Sequence, residues 1–239
     1  MNRRTLPVLK IVLAVILLGC GNGASGGFET GAIIRLDPHR LCVPDFHASR
    51  ERSFNRFSSV PGLDNSPEGK EALIVFSRLN YKSVASGYVP EKNRFDKIMI
   101  EDTVWMASLN DIEYERYKYH GLGEKNVEDL WFGEGDWTKR TLEPFGHDGW
   151  YRAFRFPEGN SWQVLRRYPD RTSKLHEAPD FWIASCHINS FGRRTCTASV
   201  ILEELRLVVQ LDLEEKNLPY REQIASYIEE QLKSWRITD

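Results

Sequence analysis

The sequence predicts an α+β fold, mostly antiparallel β-sheet with a C-terminal amphipathic helix packed on it. Three stretches near the C terminus carry that expectation. Residues 181–188 and 195–202 are strand-like and flank the turn-rich Asn189-Ser190-Phe191-Gly192-Arg193-Arg194, the pattern of a hairpin. Leu205, Leu207, Val209, Leu211 and Leu213 then alternate with Arg206, Val208, Gln210 and Asp212, as in a strand with one wet face. Asn217-Leu218-Pro219 starts a helix, with the proline near its first turn. Beyond it Ile224, Ile228, Leu232 and Trp235 share one face at helical spacing, with Tyr220 and Tyr227 nearby.

Upstream, residues 31–36 read as a first strand and 41–46 as a short extended piece broken by Pro44. Residues 47–70 lack periodicity and read as loop. Ala72, Leu73, Ile74, Val75 and Phe76 predict a buried strand over 71–79. Ile98, Met99, Ile100, Val104, Trp105 and Met106 predict another over 95–108. Residues 110–120 fit a short helix or a tyrosine-rich strand, since Tyr114, Tyr117 and Tyr119 follow neither period. Alternation over 150–156 and 161–168, around Pro157-Glu158-Gly159-Asn160, predicts a second hairpin. No internal repeat is visible.

Composition narrows the function. The chain has 239 residues, of which 41% are apolar and 28% charged, enough to bury a core. Its net charge is −2, and loss of Arg3, Arg4 and Lys10 with a leader would take it to −5. That balance argues against a nucleic-acid partner. Four cysteines are present. Centring the 189–194 turn on Phe191 sets Cys186 opposite Cys196, a register a disulfide can bridge, and a bridge suits an oxidising compartment. With Cys20 set aside for the N-terminal motif below, Cys42 is then left over and reads as a small buried hydrophobe.

At the N terminus Arg3, Arg4 and Lys10 precede an uncharged apolar run, Ile11 to Leu18, too short to span a bilayer. Leu17-Leu18-Gly19-Cys20 resembles the lipobox of bacterial lipoproteins. The resemblance implies cleavage before Cys20, a diacylglycerol thioether on Cys20 with palmitate-like acylation of the new amino terminus, and a periplasm-facing membrane anchor. With Gly21 after the cysteine, it also implies the outer membrane over the inner. The expected organisation is a signal peptide over 1–19, a flexible tether over 20–30 rich in glycine and serine, and a globular domain over 31–239, with a possible subdivision near 110–130. Gly21-x-Gly23-x-x-Gly26 matches a dinucleotide fingerprint as a string but lacks the flanking strand and helix that give it meaning.

No nucleophile elbow, His-Glu-x-x-His, Walker loop or Cys-x-x-Cys occurs, so the expectation is a protein with no catalytic residues, cofactor or metal. The six histidines are scattered, and Cys186 and His187 point to opposite faces of a strand. One stretch stands out. Trp131, Glu134, Asp136 and Trp137, followed by His147 and Asp148, combine aromatic and acidic side chains. They fit a general acid/base pair or cation site, a solvated loop whose tryptophans tuck inward, or a partner surface, and the last needs no special geometry. Arg193-Arg194 at the hairpin tip could contact an acidic partner, but a solvated turn explains them adequately.

The C-terminal segment, with Cys186, Cys196, the alternating strand, Asn217-Leu218-Pro219-Tyr220-x-x-x-Ile224 and Ser234-Trp235, resembles periplasmic immunity lipoproteins of type VI secretion. Those proteins neutralise a secreted effector by binding it. The resemblance implies a membrane-anchored binding protein whose partner is a protein toxin. An envelope-assembly lipoprotein and an envelope hydrolase using the His147 region are the competing expectations.

Overall fold

The computed structural model describes residues 31–48, 69–120, 141–146, 149–156, 159–166 and 181–237. Its architecture is α+β and mostly antiparallel. An eight-stranded sheet runs in the order β3-β4-β10-β9-β8-β7-β6-β5, and a separate ribbon pairs β1 with β2. The strands are β1 (Gly31–Leu36), β2 (His39–Pro44), β3 (Glu71–Ser77), β4 (Glu101–Ser108), β5 (Thr141–Phe145), β6 (Trp150–Phe154), β7 (Ser161–Leu165), β8 (Trp182–Ile188), β9 (Arg194–Leu202) and β10 (Leu207–Glu214). Helix α1 (Arg78–Val84) follows β3 directly and α2 (Asp111–His120) follows β4. A 3₁₀ segment, Glu215–Tyr220, leads into α3 (Arg221–Ser234). Strands from either side of residues 110–130 are hydrogen-bonded within the one sheet. No helix among the described residues is long and apolar enough to cross a membrane.

The C-terminal pattern maps closely onto this frame. Ile224, Ile228 and Leu232 are fully buried on α3, and Trp235 nearly so. They pack with Leu207, Val209, Leu211 and Leu213, the inward row of β10, because a period of 3.6 on one element meets a period of 2 on the other. Val208 is also buried, so the second face of β10 is only partly wet. Asp212 keeps its exposed position and accepts from Thr197 Oγ1 at 2.7 Å. Past the helix, Cys42 N donates to Trp235 O at 2.7 Å and Ile237 N to Arg40 O at 2.9 Å, which adds the C-terminal residues to the edge of the β1–β2 ribbon.

The second core lies under β6–β9, where Trp162, Val164, Ile183, Ala184 and Ala198 pack around a Cys186–Cys196 disulfide and Leu218. Both cysteines are paired in register across the β8–β9 hairpin and are buried, while His187 is exposed on the opposite face. Replacing both by alanine is expected to lower unfolding stability by about 3 kcal/mol, the scale for closing a short loop. Urea denaturation of that variant beside the oxidised wild type measures it.

Several elements differ from the sequence expectation. The strand expected over 95–108 begins only at Glu101, since Ile98, Met99 and Ile100 stand in solvent. The ambiguous 110–120 stretch is the helix α2. Asn217-Leu218-Pro219 forms a 3₁₀ turn, and the α-helix starts later, at Arg221. Cys42 is disulfide-bonded, which corrects the expectation of an unpaired core thiol. Alternation along β2 explains it: Leu41 and Val43 face the core, so Cys42 between them lies on the outer side of the ribbon.

Candidate partner-binding surface

The lipidation candidate Cys20 and the candidate partner surface of Trp131, Glu134, Asp136 and Trp137 lie outside the described residues, as do His147 and Asp148. His39 Nε2 bonds Leu205 O at 2.7 Å and His47 Nδ1 bonds Val75 O at 2.6 Å. The surface that draws attention is elsewhere, at one end of the large sheet.

Antiparallel pairing brings the start of β4, the end of β10, the start of β9 and the end of β8 to that end. Two connections meet there: residues 85–100, between α1 and β4, and residues 189–193, between β8 and β9. From the first, Val89, Phe95, Ile98, Met99 and Ile100 project into solvent; from the second, Phe191 does, with Ile188 at the end of β8. Phe156 of the β6–β7 turn is exposed at the same end. Large apolar side chains scattered singly over a surface need no explanation, but a cluster on adjoining turns makes a candidate site of association.

The loop that carries most of them is not loosely held. Arg78, buried at the start of α1, donates to Asp102 Oδ1 at 2.6 Å and bonds Glu91 through its other terminal nitrogen. Tyr81 Oη donates to Asp102 Oδ2 at 3.0 Å, and Tyr88 Oη donates to Glu91. The other Glu91 oxygen accepts from Asn217 Nδ2 at 2.8 Å and from the Glu214 amide at 3.2 Å. Asn217, wholly buried in the 3₁₀ segment, also grips the backbone of Val89, its Oδ1 accepting from Val89 N at 3.0 Å and its Nδ2 donating to Val89 O at 2.8 Å. At Gly87 the loop passes so close to Tyr220 that a Cβ would stand 1.8 Å from the phenol oxygen, so any larger residue there would have to displace the Tyr220 ring.

This cluster holds two carboxylates against one guanidinium. Burial pushes the Asp102 carboxyl up to about 6, with the Arg78 charge working against that rise. Burial works to lower the Arg78 value, but Asp102 and Glu91 outweigh it and hold the guanidinium charged. Burial first, and the neighbouring carboxylate second, raise Tyr81 and Tyr88, so both phenols stay protonated donors. The cluster is sealed and hydrogen-bonded throughout; what it does is fix the loop.

A third buried carboxylate joins the other half of the sheet. Glu215 receives both Nε and Nη2 of Arg152, at 2.6 and 2.8 Å, and Trp162 Nε1 at 2.9 Å. Arg194 reaches it more loosely at 3.4 Å. The 3₁₀ segment is therefore a hub, with Glu215 facing β6, β7 and β9, Asn217 facing the exposed loop and Leu218 in the second core. The sequence shows Asn217 only as a helix start, and its partners lie 126 to 128 positions away, where no local pattern reaches.

No family model and no curated protein matches the chain. Among solved structures, it aligns with that of Smlt3025, an immunity protein of the Stenotrophomonas maltophilia type IV secretion system. The alignment has a TM-score of 0.46 and 10% identity, over 92% of this chain and 100% of that one. At that score it lends no weight to the reading that follows.

Proposed function

We propose that this is an exported protein that works by binding another protein, as an immunity protein does when it covers a secreted toxin, and that it carries out no chemistry of its own. The observation that carries the reading is the exposed apolar end of the sheet, held by the buried Arg78–Glu91–Asp102–Asn217 cluster. Apolar side chains kept in water on a fixed loop lose little further entropy when a partner covers them, so their burial converts efficiently into affinity. The Cys186–Cys196 disulfide and the leader-like N terminus support export. The test is co-production with the secreted product of the neighbouring gene. A complex that survives at micromolar concentration and restores growth of toxin-exposed cells is expected. Failure of both would overturn the reading.

Anchorage through Cys20 is part of the same proposal, and cysteine arithmetic gives it a sharp test. Cys186 and Cys196 occupy each other, so in a chain whose Cys20 is lipidated a Cys42 disulfide has to run to another molecule. A Cys20 thioether has no thiol to give. Intact mass of the native protein separates lipidated from lipid-free Cys20. A chain beginning at Cys20 with added diacylglycerol, lost from membranes in Cys20→Ala, supports the anchor. A lipid-free mass lacking four hydrogens relative to the fully reduced chain overturns it.

A further inference from the structure

We propose that the two turns at this end of the sheet form a paired aromatic grip for an acidic protein partner, an inference that rests on the binding reading above. The turns are the same structure built twice. Asn93 N donates to Lys97 O at 2.8 Å, and Asn93 Oδ1 accepts from Phe95 N at 2.8 Å and Lys97 N at 3.1 Å. Asn189 N donates to Arg193 O at 2.9 Å, and Asn189 Oδ1 accepts from Phe191 N and Arg193 N, both at 3.0 Å. In each, the fourth residue has positive φ, 57° at Asp96 and 72° at Gly192, and donates its amide back to the asparagine carbonyl. In each, the third residue is a phenylalanine, 65% exposed at Phe95 and 59% at Phe191. The signal was present in the sequence as Asn-x-Phe-Asp-Lys and Asn-x-Phe-Gly-Arg, but its meaning needed the turns side by side.

Arg193 locks one turn to the other. Its guanidinium donates to Lys92 O and, at 2.9 Å, to Asn93 O, and it pairs with Asp96 at 3.2 Å. Two phenylalanines are thus held at a set separation before any partner arrives, which suits a protein cleft. A bilayer requires no such spacing. Phenylalanine has few rotatable bonds and buries much area, the property of an interface anchor. Charge selects the partner. Of the charges on residues 92–97 and 189–194, Arg193 is paired with Asp96 and Arg194 with Glu215, which leaves Lys92, Arg94 and Lys97 as the cations for a partner, on a chain whose net charge is −2. A basic tip on an acidic body steers an acidic face onto the phenylalanines and repels the rest of the molecule from it.

The experiment places the photo-crosslinking residue p-benzoylphenylalanine at 95 and 191 in the full chain made in its own cells. Ile33 and Ile112, exposed at other places on the molecule, serve as control positions. One acidic protein captured from both 95 and 191, and from neither control, is expected. With that protein purified, Phe95→Ala and Phe191→Ala should each weaken binding roughly tenfold or more. Arg94→Glu with Lys97→Glu should weaken it further and flatten its salt dependence. Both phenylalanines are exposed, so circular dichroism and melting should match the wild type. A partner captured only from 33 or 112 would overturn the grip while leaving the binding reading intact. Capture from none of the four would overturn both. Binding to anionic phosphatidylglycerol vesicles that is lost in Phe95→Ala would assign the tip to a membrane and overturn the protein partner.

Discussion

Arg78→Ala is expected to cost about 3–5 kcal/mol of unfolding stability, the scale for removing one partner of a buried ion cluster. It would leave the Glu91 and Asp102 carboxylates buried with no cation between them. At a few degrees per kcal/mol for a chain of this size, that corresponds to a fall in melting temperature of roughly 10 °C. Arg78→Lys is not expected to rescue it, because one ammonium cannot present the planar fork that reaches both carboxylates. The pH dependence carries a sign. Burial already raises Asp102 from 3.8 to about 6, and loss of the opposing cation raises it further. The folded variant then holds a proton that the unfolded chain releases near pH 4, which stabilises it in acid and is lost as pH climbs through and beyond 6. The gap between variant and wild type should therefore be smallest near pH 4 and widest at neutrality. Thermal unfolding across that range measures it. The exposed loop is expected to loosen with it, so hydrogen exchange at residues 88–100 should quicken.

Glu215→Ala is expected to cost a comparable 3–5 kcal/mol, but in the other half of the molecule. It leaves the Arg152 guanidinium, stacked over Phe145 at 4.8 Å, with only Glu143 at 4.0 Å, and takes the acceptor from the buried Trp162 indole N–H. Glu215→Gln keeps one acceptor oxygen and should recover part of the loss. Arg194→Ala should change stability by less than about 1 kcal/mol, because its side chain is half exposed and solvent replaces the bond. Near-ultraviolet circular dichroism would distinguish the two clusters. The Glu215 variant should lose tryptophan signal from Trp162 and its neighbours, whereas Arg78→Ala should disturb tyrosine signal from Tyr81 and Tyr88.

Elements that bury one face by repetition could be read in advance. Leu207 to Leu213 alternate, and Ile224 to Leu232 step by four, because a strand or helix against a core needs apolar side chains at its own period. The β8–β9 register followed from a turn with two cysteines equidistant from it. Helix α1 was hidden: it is seven residues long, and its first position holds an arginine that is buried. Strand β5 was hidden as well, since Pro144 breaks the ladder pattern and suits only an edge, which is where it lies. The run Ile98-Met99-Ile100 misled in the opposite direction. Apolar residues usually mean burial, and here they stand in water.

The sequence by itself determined the fold class, the hairpin that carries the disulfide, the helix that closes the core and the overall charge. Each is a local property, written in composition or in the spacing of neighbours. The tertiary structure alone decided what supports the exposed apolar surface and where that surface is. Arg78, Glu91, Asp102 and Asn217 are charged or polar residues that in isolation read as solvent-facing. They are buried because each finds, from a distant segment, the partner that offsets its loss of water. Likewise Phe95 and Phe191 lie 96 residues apart in the chain and become one surface because antiparallel pairing brings both turns to the same end of the sheet, where Arg193 joins them.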